Sequence, residues 1–568
     1  MVDCSAQRIV LVIATLTQGS FSTSGDNTDG MMIRSSARSS SQCFCSRIST
    51  RRTNVFRNTS KRGLSIATRD ANNDDESNFY QRINSPKNLL APMVAQSDLP
   101  FRLMCEQLYS VDLSYTQMIH AVNFAAPHGE TFRTNHLDVY PPSIVKDVLL
   151  GNGDGDALLV STSQGNAREG LSQNDIERSR KSILHAISEK REHANASDSS
   201  ISVQPTVVQI AAHDSDVALK AAYLILEMSG SMNAIQNGEI CPVAAIDLNL
   251  GCPQSIARKG RYGSFLHDES PELAYNVLTM LRSKLPPEIG VTAKIRLPPT
   301  QADAMAGRLG NVAGMDSMPQ TIENRMRRLI DCGVDLITVH GRTRFENKIS
   351  VSSADWDSVQ QCAALARAYS VDDQYPIISN GGIESWGDIQ RCFDVTTASG
   401  VMSSESLLEN PGLFCSEGRA TATARGLLER QLRYAEMYLD YATLFPPLSG
   451  SLGIKGGSFN VIRSHLFKFL HRYLEENPDL RTTLGDHSMN TIKQARDLVS
   501  DLGSRYELLS ETELRSMRSW DSESSWYRRH RHPNTQSASP SISIEERKLE
   551  TRLRILRMRE ERINSLQV

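Results

Sequence analysis

Between Asn88 and Met402 the chain repeats one alternation, a short apolar run followed by a polar or amphipathic stretch. The runs of strand length are Asn88–Val94, Leu113–Ile119, Thr206–Ala212, Ala244–Asn249, Gly290–Leu297, Asp335–His340, Tyr375–Ser379 and Thr397–Met402. Among the intervening stretches, Glu272–Leu285 puts Leu273, Val277 and Leu281 on one helical face. Thr321–Asp331 does the same with Ile322, Met326, Leu329 and Ile330. Strand–helix units repeated in this way predict an α/β fold, a (β/α)8 TIM barrel over residues 86–418. An open doubly wound sheet is the alternative, but no Gly-x-Gly-x-x-Gly follows the first run.

Two segments break the alternation. Ala125–Ser202 is long and polar and reads as a mainly disordered insertion with a helical middle at Gln173–Arg191. Pro298–Pro319 is a shorter Gly/Met-rich insertion. After Pro411 the pattern turns helical: Arg425–Leu439, Phe459–Glu475 and Ser488–Asp501 predict a small all-α domain over 419–510. The tail, 511–568, holds Trp526-Tyr527-Arg528-Arg529-His530-Arg531-His532, a mixture of aromatic and basic residues that suits nucleic acid, and a charged helical stretch, Ile544–Leu566.

Residues 1–85 read as a targeting or disordered extension. Ile9–Leu16 follows Arg8 as a signal-like apolar run, and Met31–Thr68 is rich in Ser and Arg without Asp or Glu. That composition suits import into an organelle, plastid or mitochondrion, with the cytoplasm as the alternative. The folded part is expected to begin near Pro86.

The formal net charge of −3 over 568 residues argues against wholesale polyanion binding and leaves room for a local basic patch. Ten cysteines are scattered with no Cys-x-x-Cys pair, so neither a disulfide framework nor a metal site is expected. No run reaches the roughly 18 apolar residues of a membrane span. A monomer is expected.

Against this background one turn stands out. Leu250-Gly251-Cys252-Pro253-Gln254-Ser255 closes the run Ala244–Asn249 and holds a thiol at a strand end, where barrel chemistry sits. Asp247 and Asn249 alternate on one face of the same strand. Other strand ends carry Gln209, Lys294 with Arg296, His340 with Arg342 and Arg344, Asn380-Gly381-Gly382, and Ser403-Ser404-Glu405. Bare Gly amides after the seventh and eighth runs suit a phosphate. Lys294 suits the negative charge of a reduced flavin, and the amides of Gln209 and Asn249 suit its ring edge. Cys252 has no neighbouring His or carboxylate in sequence, so it fits a general acid better than a nucleophile.

In order along the chain, Ala91-Pro92-Met93-Val94 with Phe101-Arg102, Tyr115-Thr116-Gln117-Met118, Val208-Gln209, Asp247-Leu248-Asn249-Leu250-Gly251-Cys252-Pro253, Lys294-Ile295-Arg296, Val339-His340-Gly341-Arg342-Thr343-Arg344, Asn380-Gly381 and Gly400-Val401-Met402 resemble the tRNA-dihydrouridine synthase family. His465-Leu466-Phe467-Lys468 resembles its C-terminal RNA-binding part. Glu405, and Tyr115-Thr116 with His120, resemble the eukaryotic subgroup acting on uridines 16 and 17 of the D-loop.

The resemblance implies FMN as cofactor, NAD(P)H as reductant and tRNA as partner. Hydride would go to C6 of uracil and a proton from Cys252 to C5. It implies FMN contacts at Pro92, Met93, Val94, Gln209, Lys294, His340, Asn380, Gly381, Gly382, Ser404 and Glu405. Substrate contacts are expected from Asn249, Arg296, Arg342, Arg344, Arg463 and Lys468, with Arg258 and Lys259 as further positive candidates. Gln117 and the Ala125–Ser202 insertion depart from the family pattern. Two other readings stay open: a flavin reductase of a free pyrimidine or small enone, and a non-catalytic RNA-binding protein.

Overall fold

A computed structural model describes residues 78–152, 166–193, 201–305, 321–346, 353–370, 375–415, 423–448, 450, 458–520 and 525–527. Residues 1–77 of the expected targeting or disordered extension, most of the 298–319 stretch, the basic run beyond Tyr527 and the 544–566 stretch lie outside these residues.

The strands are β1 (Asn88–Leu90), β2 (Leu113–Ser114), β3 (Ile119–His120), β4 (Thr206–Ala211), β5 (Val243–Leu250), β6 (Gly290–Arg296), β7 (Leu336–His340), β8 (Ile377–Asn380) and β9 (Gly400–Ser403). They form one sheet in the order β2-β1-β9-β8-β7-β6-β5-β4-β3, and every pairing is parallel. β2 and β3 are two halves of the second expected strand. Between them Tyr115 bridges to Val207 of β4, which closes the sheet into the expected barrel. The strand is broken because side chains take over its hydrogen bonds. Thr116 Oγ1 accepts from the Gln209 amide (3.3 Å), and Gln117 Oε1 accepts from the Ala95 amide (3.2 Å).

Alternation along each strand sorts the residues into two cores. Val208, Ile246, Val291, Ile337 and Ile377 pack outward against the helices. Leu89, Leu113, Tyr115, Val207, Ala245, Leu336, Ile378 and Met402 form a separate interior cluster. Further along the strands the inward series turns polar, with Gln209, Asp247 and Asn380 two residues and His340 four residues beyond the interior cluster, and Lys294 on the same face of β6. An apolar floor therefore carries a polar mouth at the C-terminal strand ends.

Ordered structure begins ahead of the expected Pro86. The short helix Phe79–Arg82 starts with an Asn78–Gln81 capping box, and Phe79 and Tyr80 join the interior cluster. Tyr80 Oη donates to the carbonyls of Pro86 (2.6 Å) and Ser399 (3.0 Å). These two rings close the barrel from below.

The helical part is not separately cored. The helix Ala424–Leu444 shares one hydrophobic cluster with Leu99–Leu108, the first barrel helix. Tyr434, Tyr438 and Tyr441 recur at helical spacing and donate to Asn410 (2.9 Å), Asp98 (2.8 Å) and Gln107 (2.7 Å). Each ring buries roughly 150–250 Å², so this face fastens the helices to the barrel. The expected 459–475 helix divides at Leu470 into Phe459–Phe469 and His471–Glu476. The helical part also runs past 510: Glu511 accepts from the amides of Ala424 (2.8 Å) and Arg425 (3.1 Å), capping the Ala424–Leu444 helix from the start of Glu511–Ser516.

The expectation that Ala125–Ser202 is mainly disordered is overturned. Its described residues include helices at Glu130–His136, Pro142–Leu150 and Gln173–His193. The last is amphipathic, and its Ile183, Ala186 and Ile187 are buried in the cluster shared with Ala424–Leu444. Arg496 ties the two helices, donating to Ser179 Oγ (2.9 Å) and Asp440 Oδ1 (2.7 Å).

Candidate active site

Cys252 sits on a turn held from three directions. The amides of Gly251 and Cys252 both donate to Asn249 Oδ1 (3.1 Å each). Arg296 Nε donates to the Gly251 carbonyl (2.9 Å), and Ser264 donates to the Cys252 carbonyl through its amide (3.1 Å) and hydroxyl (2.9 Å). Gly263 is required at the last contact: it adopts φ +68°, and a Cβ there would lie 2.9 Å from Cys252 Cβ. Cys252 is part-buried beside Met118, Ala211 and Tyr262. Burial lifts its thiol above the ordinary range, with Arg296 and Lys294 pulling the other way. The thiol is therefore protonated at neutral pH, the state a proton donor needs.

The other polar strand ends meet it in register. Asn249 pairs with Lys294, Arg296 with His340, and His340 with Asn380. Lys294 Nζ donates to Asn380 Oδ1 (2.9 Å), and Asn380 Nδ2 to the Met402 carbonyl (2.9 Å). Burial pulls Lys294 down to about 8, reinforced by Arg296 and opposed by Asp247 and Cys252. His340 falls well below its ordinary value through burial among Arg296, Lys294 and Arg342, so its ring is neutral. Its Nε2 lies 3.2 Å from Arg342 Nη1 and accepts from it. Arg296 is lowered to about 10 by burial and the neighbouring Arg342, and its Nη1 donates to the Thr343 carbonyl (2.8 Å).

Gly381 and Gly382 adopt φ of +95° and +78°. A Cβ on Gly381 would stand 2.8 Å from His340 Cδ2. Among the described residues none accepts a hydrogen bond from the backbone amides of these two glycines. The Ala91–Ser97 loop is folded by Ser97, whose hydroxyl accepts from the Met93 amide (2.8 Å) and donates to the Ala91 carbonyl (2.9 Å). Pro92 and Met93 are half-buried there, and Val94 is exposed. Ser404 precedes the helix Glu405–Glu409, with Glu405 exposed. Bare amides, a cation and two side-chain amides around one mouth form a donor set that fits a flavin mononucleotide: amides and hydroxyl for phosphate, Lys294 and Gln209 for the ring edge.

Three expected substrate residues are committed elsewhere. Arg344 is buried, paired with Glu269 (2.9 Å) and Asp268 (3.4 Å), and stacks over Phe265. Arg463 is buried and donates to the carbonyls of Leu484 (2.8 Å), Asp486 (3.0 Å) and Met489. Lys468 is buried, with Nζ on Ser464 O and Oγ (2.7 Å each) and 4.9 Å from the Trp526 ring centroid. Helical spacing alone does not show whether a basic residue faces water or a neighbouring loop, hence the difference. Arg258 and Lys259 are exposed on the Ser255–Lys259 helix beside the cysteine turn. Tyr262 and Ser264, which close over Cys252, carried no sequence signal beyond the adjoining Gly263.

The family model described as dihydrouridine synthase matches residues 89–145 and 171–495. The chain belongs to this family. The match covers barrel and helices together and confines the segment foreign to the family to 146–170, narrower than the expected Ala125–Ser202. Among similar proteins, the tRNA-dihydrouridine(16/17) synthase [NAD(P)(+)] of Schizosaccharomyces pombe is 28% identical over 406 residues, 72% of this chain and 74% of that protein. The Saccharomyces cerevisiae protein of the same name is 26% identical, over 72% and 70%. A tRNA-dihydrouridine(16/17) synthase [NAD(P)(+)]-like protein of Rattus norvegicus is 27% identical over 72% of this chain and 65% of its own length, just under two thirds.

Proposed function

We propose that the chain is an FMN-dependent oxidoreductase that reduces the C5=C6 bond of uridine in the tRNA D-loop, at positions 16 and 17, at the expense of NAD(P)H. The observation that carries it is the Cys252 thiol on a turn fixed by Asn249, Arg296 and Ser264 at the barrel mouth. The names of the similar yeast and rat proteins support the tRNA substrate and the 16/17 position.

Gly381, Gly382 and Ser404 would hold the FMN phosphate, and Lys294, Gln209 and Asn380 its ring system. When bound and reduced, FMN supplies a hydride to C6 of uracil. The electron pair of the C5=C6 bond then takes the proton of the Cys252 thiol at C5, and solvent returns a proton to the thiolate. Arg296 lies beside Cys252 and offsets the negative charge that develops during transfer. A D-loop uridine is unpaired more readily than one in a helix, so presenting its base to this mouth costs little. Lys259 and Arg258, the latter also paired with Glu269 (3.4 Å), are exposed beside the cysteine turn and would meet the flanking phosphates. The composition of residues 31–68 supports an organellar location, which a fluorescent fusion of residues 1–85 would test.

The decisive experiment incubates the full chain with FMN, NADPH and unmodified tRNA and reads dihydrouridine at each position. Product at 16 and 17 that disappears with Cys252→Ala is the expected result. Turnover of free uracil without tRNA product would replace it with the small-pyrimidine reading. Because barrel and helices share one core, both assays use the full chain.

A further inference from the structure

Asp247 is fully buried in the barrel interior, yet among the described residues no cation lies within hydrogen-bond distance of it. Its partners are neutral: Thr292 Oγ1 donates to Oδ1 (2.7 Å) and Gln209 Nε2 to Oδ2 (2.8 Å). Burying a carboxyl group with so little compensation is costly. The bonds continue outward. Asn249 Nδ2 donates to Gln209 Oε1 (2.9 Å), and Asn249 Oδ1 accepts from the amides of Gly251 and Cys252 (3.1 Å each).

A side-chain amide has no fixed polarity, because half a turn exchanges its donor and acceptor. Gln209 and Asn249 are both of this kind, so the order of donors and acceptors must be imposed from outside. Both Asp247 oxygens face donors and act as acceptors, Oδ1 toward the Thr292 hydroxyl and Oδ2 toward Gln209 Nε2. Burial raises the carboxyl pKa, opposed by these two hydrogen bonds and by Lys294. Oδ2 admits only Nε2 of Gln209, which turns Oε1 toward Asn249. That admits only Nδ2 of Asn249, which turns Oδ1 toward the two turn amides. The second Asn249 amide hydrogen is directed at Met118 Sδ (3.0 Å), where a reversed amide would place oxygen against sulfur.

We propose that Asp247 is a positioning residue: through the amides of Gln209 and Asn249 it fixes the turn that holds Cys252. The role requires an acceptor facing Gln209 and does not require charge. Asparagine can satisfy it, with Oδ1 toward Gln209 and Nδ2 donating to the Thr292 hydroxyl. Leucine keeps the branching at Cγ, is larger, and cannot.

Two readouts on the full chain test this. The first is alkylation of Cys252 by iodoacetamide at pH 8.5, followed by mass spectrometry of its peptide. It needs neither FMN nor tRNA, so it reads the turn even where the proposed activity, on which the consequence for turnover rests, is absent. Asp247→Leu should raise the labelling rate about tenfold or more, and Asp247→Asn should return it to within about threefold of the parent, the scale expected when a fixed geometry is loosened. The second readout is turnover on tRNA, where Asp247→Leu should lower kcat about 10- to 100-fold with little change in KM. If the leucine variant does not fold, Gln209→Met cuts the next link and should give the same rise in labelling. Unchanged labelling in a folded leucine or Gln209→Met variant would overturn the proposal. So would asparagine behaving like leucine, since that result assigns the role to charge.

Discussion

His465 Nε2 lies 2.6 Å from Asp98 Oδ1, joining the Phe459–Phe469 helix to the loop between β1 and the first barrel helix. The Tyr438 hydroxyl donates to the other oxygen of the same carboxyl group (2.8 Å). Asp98 lies only four residues beyond Val94, so the junction of barrel and helices is built directly on the mouth of the site. Removing it with Asp98→Ala strands two buried donors. The expected loss is about 2–4 kcal/mol by chemical denaturation.

The same junction sets a pH dependence. Burial lowers the His465 pKa, although Asp98 opposes the shift. A depressed pKa means that the unfolded chain takes up a proton before the folded one does. The stability from the neutral ring is present above the ordinary value of about 6.5 and is lost as pH falls through the folded value. Melting temperature should drop across that acid window, and His465→Gln, uncharged throughout, should flatten the drop.

Lys294 and Cys252 should together govern the alkaline side of turnover. Because burial lowers Lys294 to about 8 and raises the Cys252 thiol, the rate should hold through neutral pH and begin to fall near pH 8, and Lys294→Arg should move the onset of that fall upward. Replacement of Cys252 by alanine should lower single-turnover reduction of tRNA by about 10²–10⁴-fold. FMN retention, read by its visible absorbance, should persist.

Gly381→Ala tests the phosphate cradle. The added methyl must be accommodated at φ +95° and 2.8 Å from His340 Cδ2. Strain and overpacking together should cost about 1–3 kcal/mol. The purified protein should lose bound flavin, while alanine at the exposed Gly387 should leave flavin in place.

Arg463 separates a structural cation from a nucleic-acid contact. Arg463→Ala leaves the carbonyls of Leu484, Asp486 and Met489 without their donor and should cost about 2–4 kcal/mol. Well below its melting temperature the variant should keep the parent's salt dependence of tRNA binding. The exposed pair Arg258 and Lys259, changed together to Gln, should reduce that slope by about 2.

Much of this architecture is legible in the sequence because its signals are local. Apolar runs of strand length locate the strands to within a few residues, and the Gly-Cys-Pro turn marks the mouth of the barrel. Non-local features were less legible. The break in the second strand depends on Gln209 and Ala95 finding partners on Thr116 and Gln117, far apart in the chain. The Gln173–His193 helix is polar overall, so its buried side emerges only against Ala424–Leu444. Arg344, Arg463 and Lys468 carry the right charge for RNA, but the carboxylates beside the Arg344 loop and the carbonyl and hydroxyl partners of the two helical cations are invisible to spacing along the chain.

The broken second strand also gives the barrel a seam. On the far side β5, β6, β7 and β8 are joined by unbroken ladders, whereas between β2 and β3 the second strand meets β4, among the described residues, through the Tyr115–Val207 bridge and the hydrogen bonds of Thr116. A deforming force at the mouth therefore concentrates its strain at this seam. The wall carrying Met118 and His120 should yield before the wall carrying Lys294 and His340, a difference that amide hydrogen exchange along the two would read.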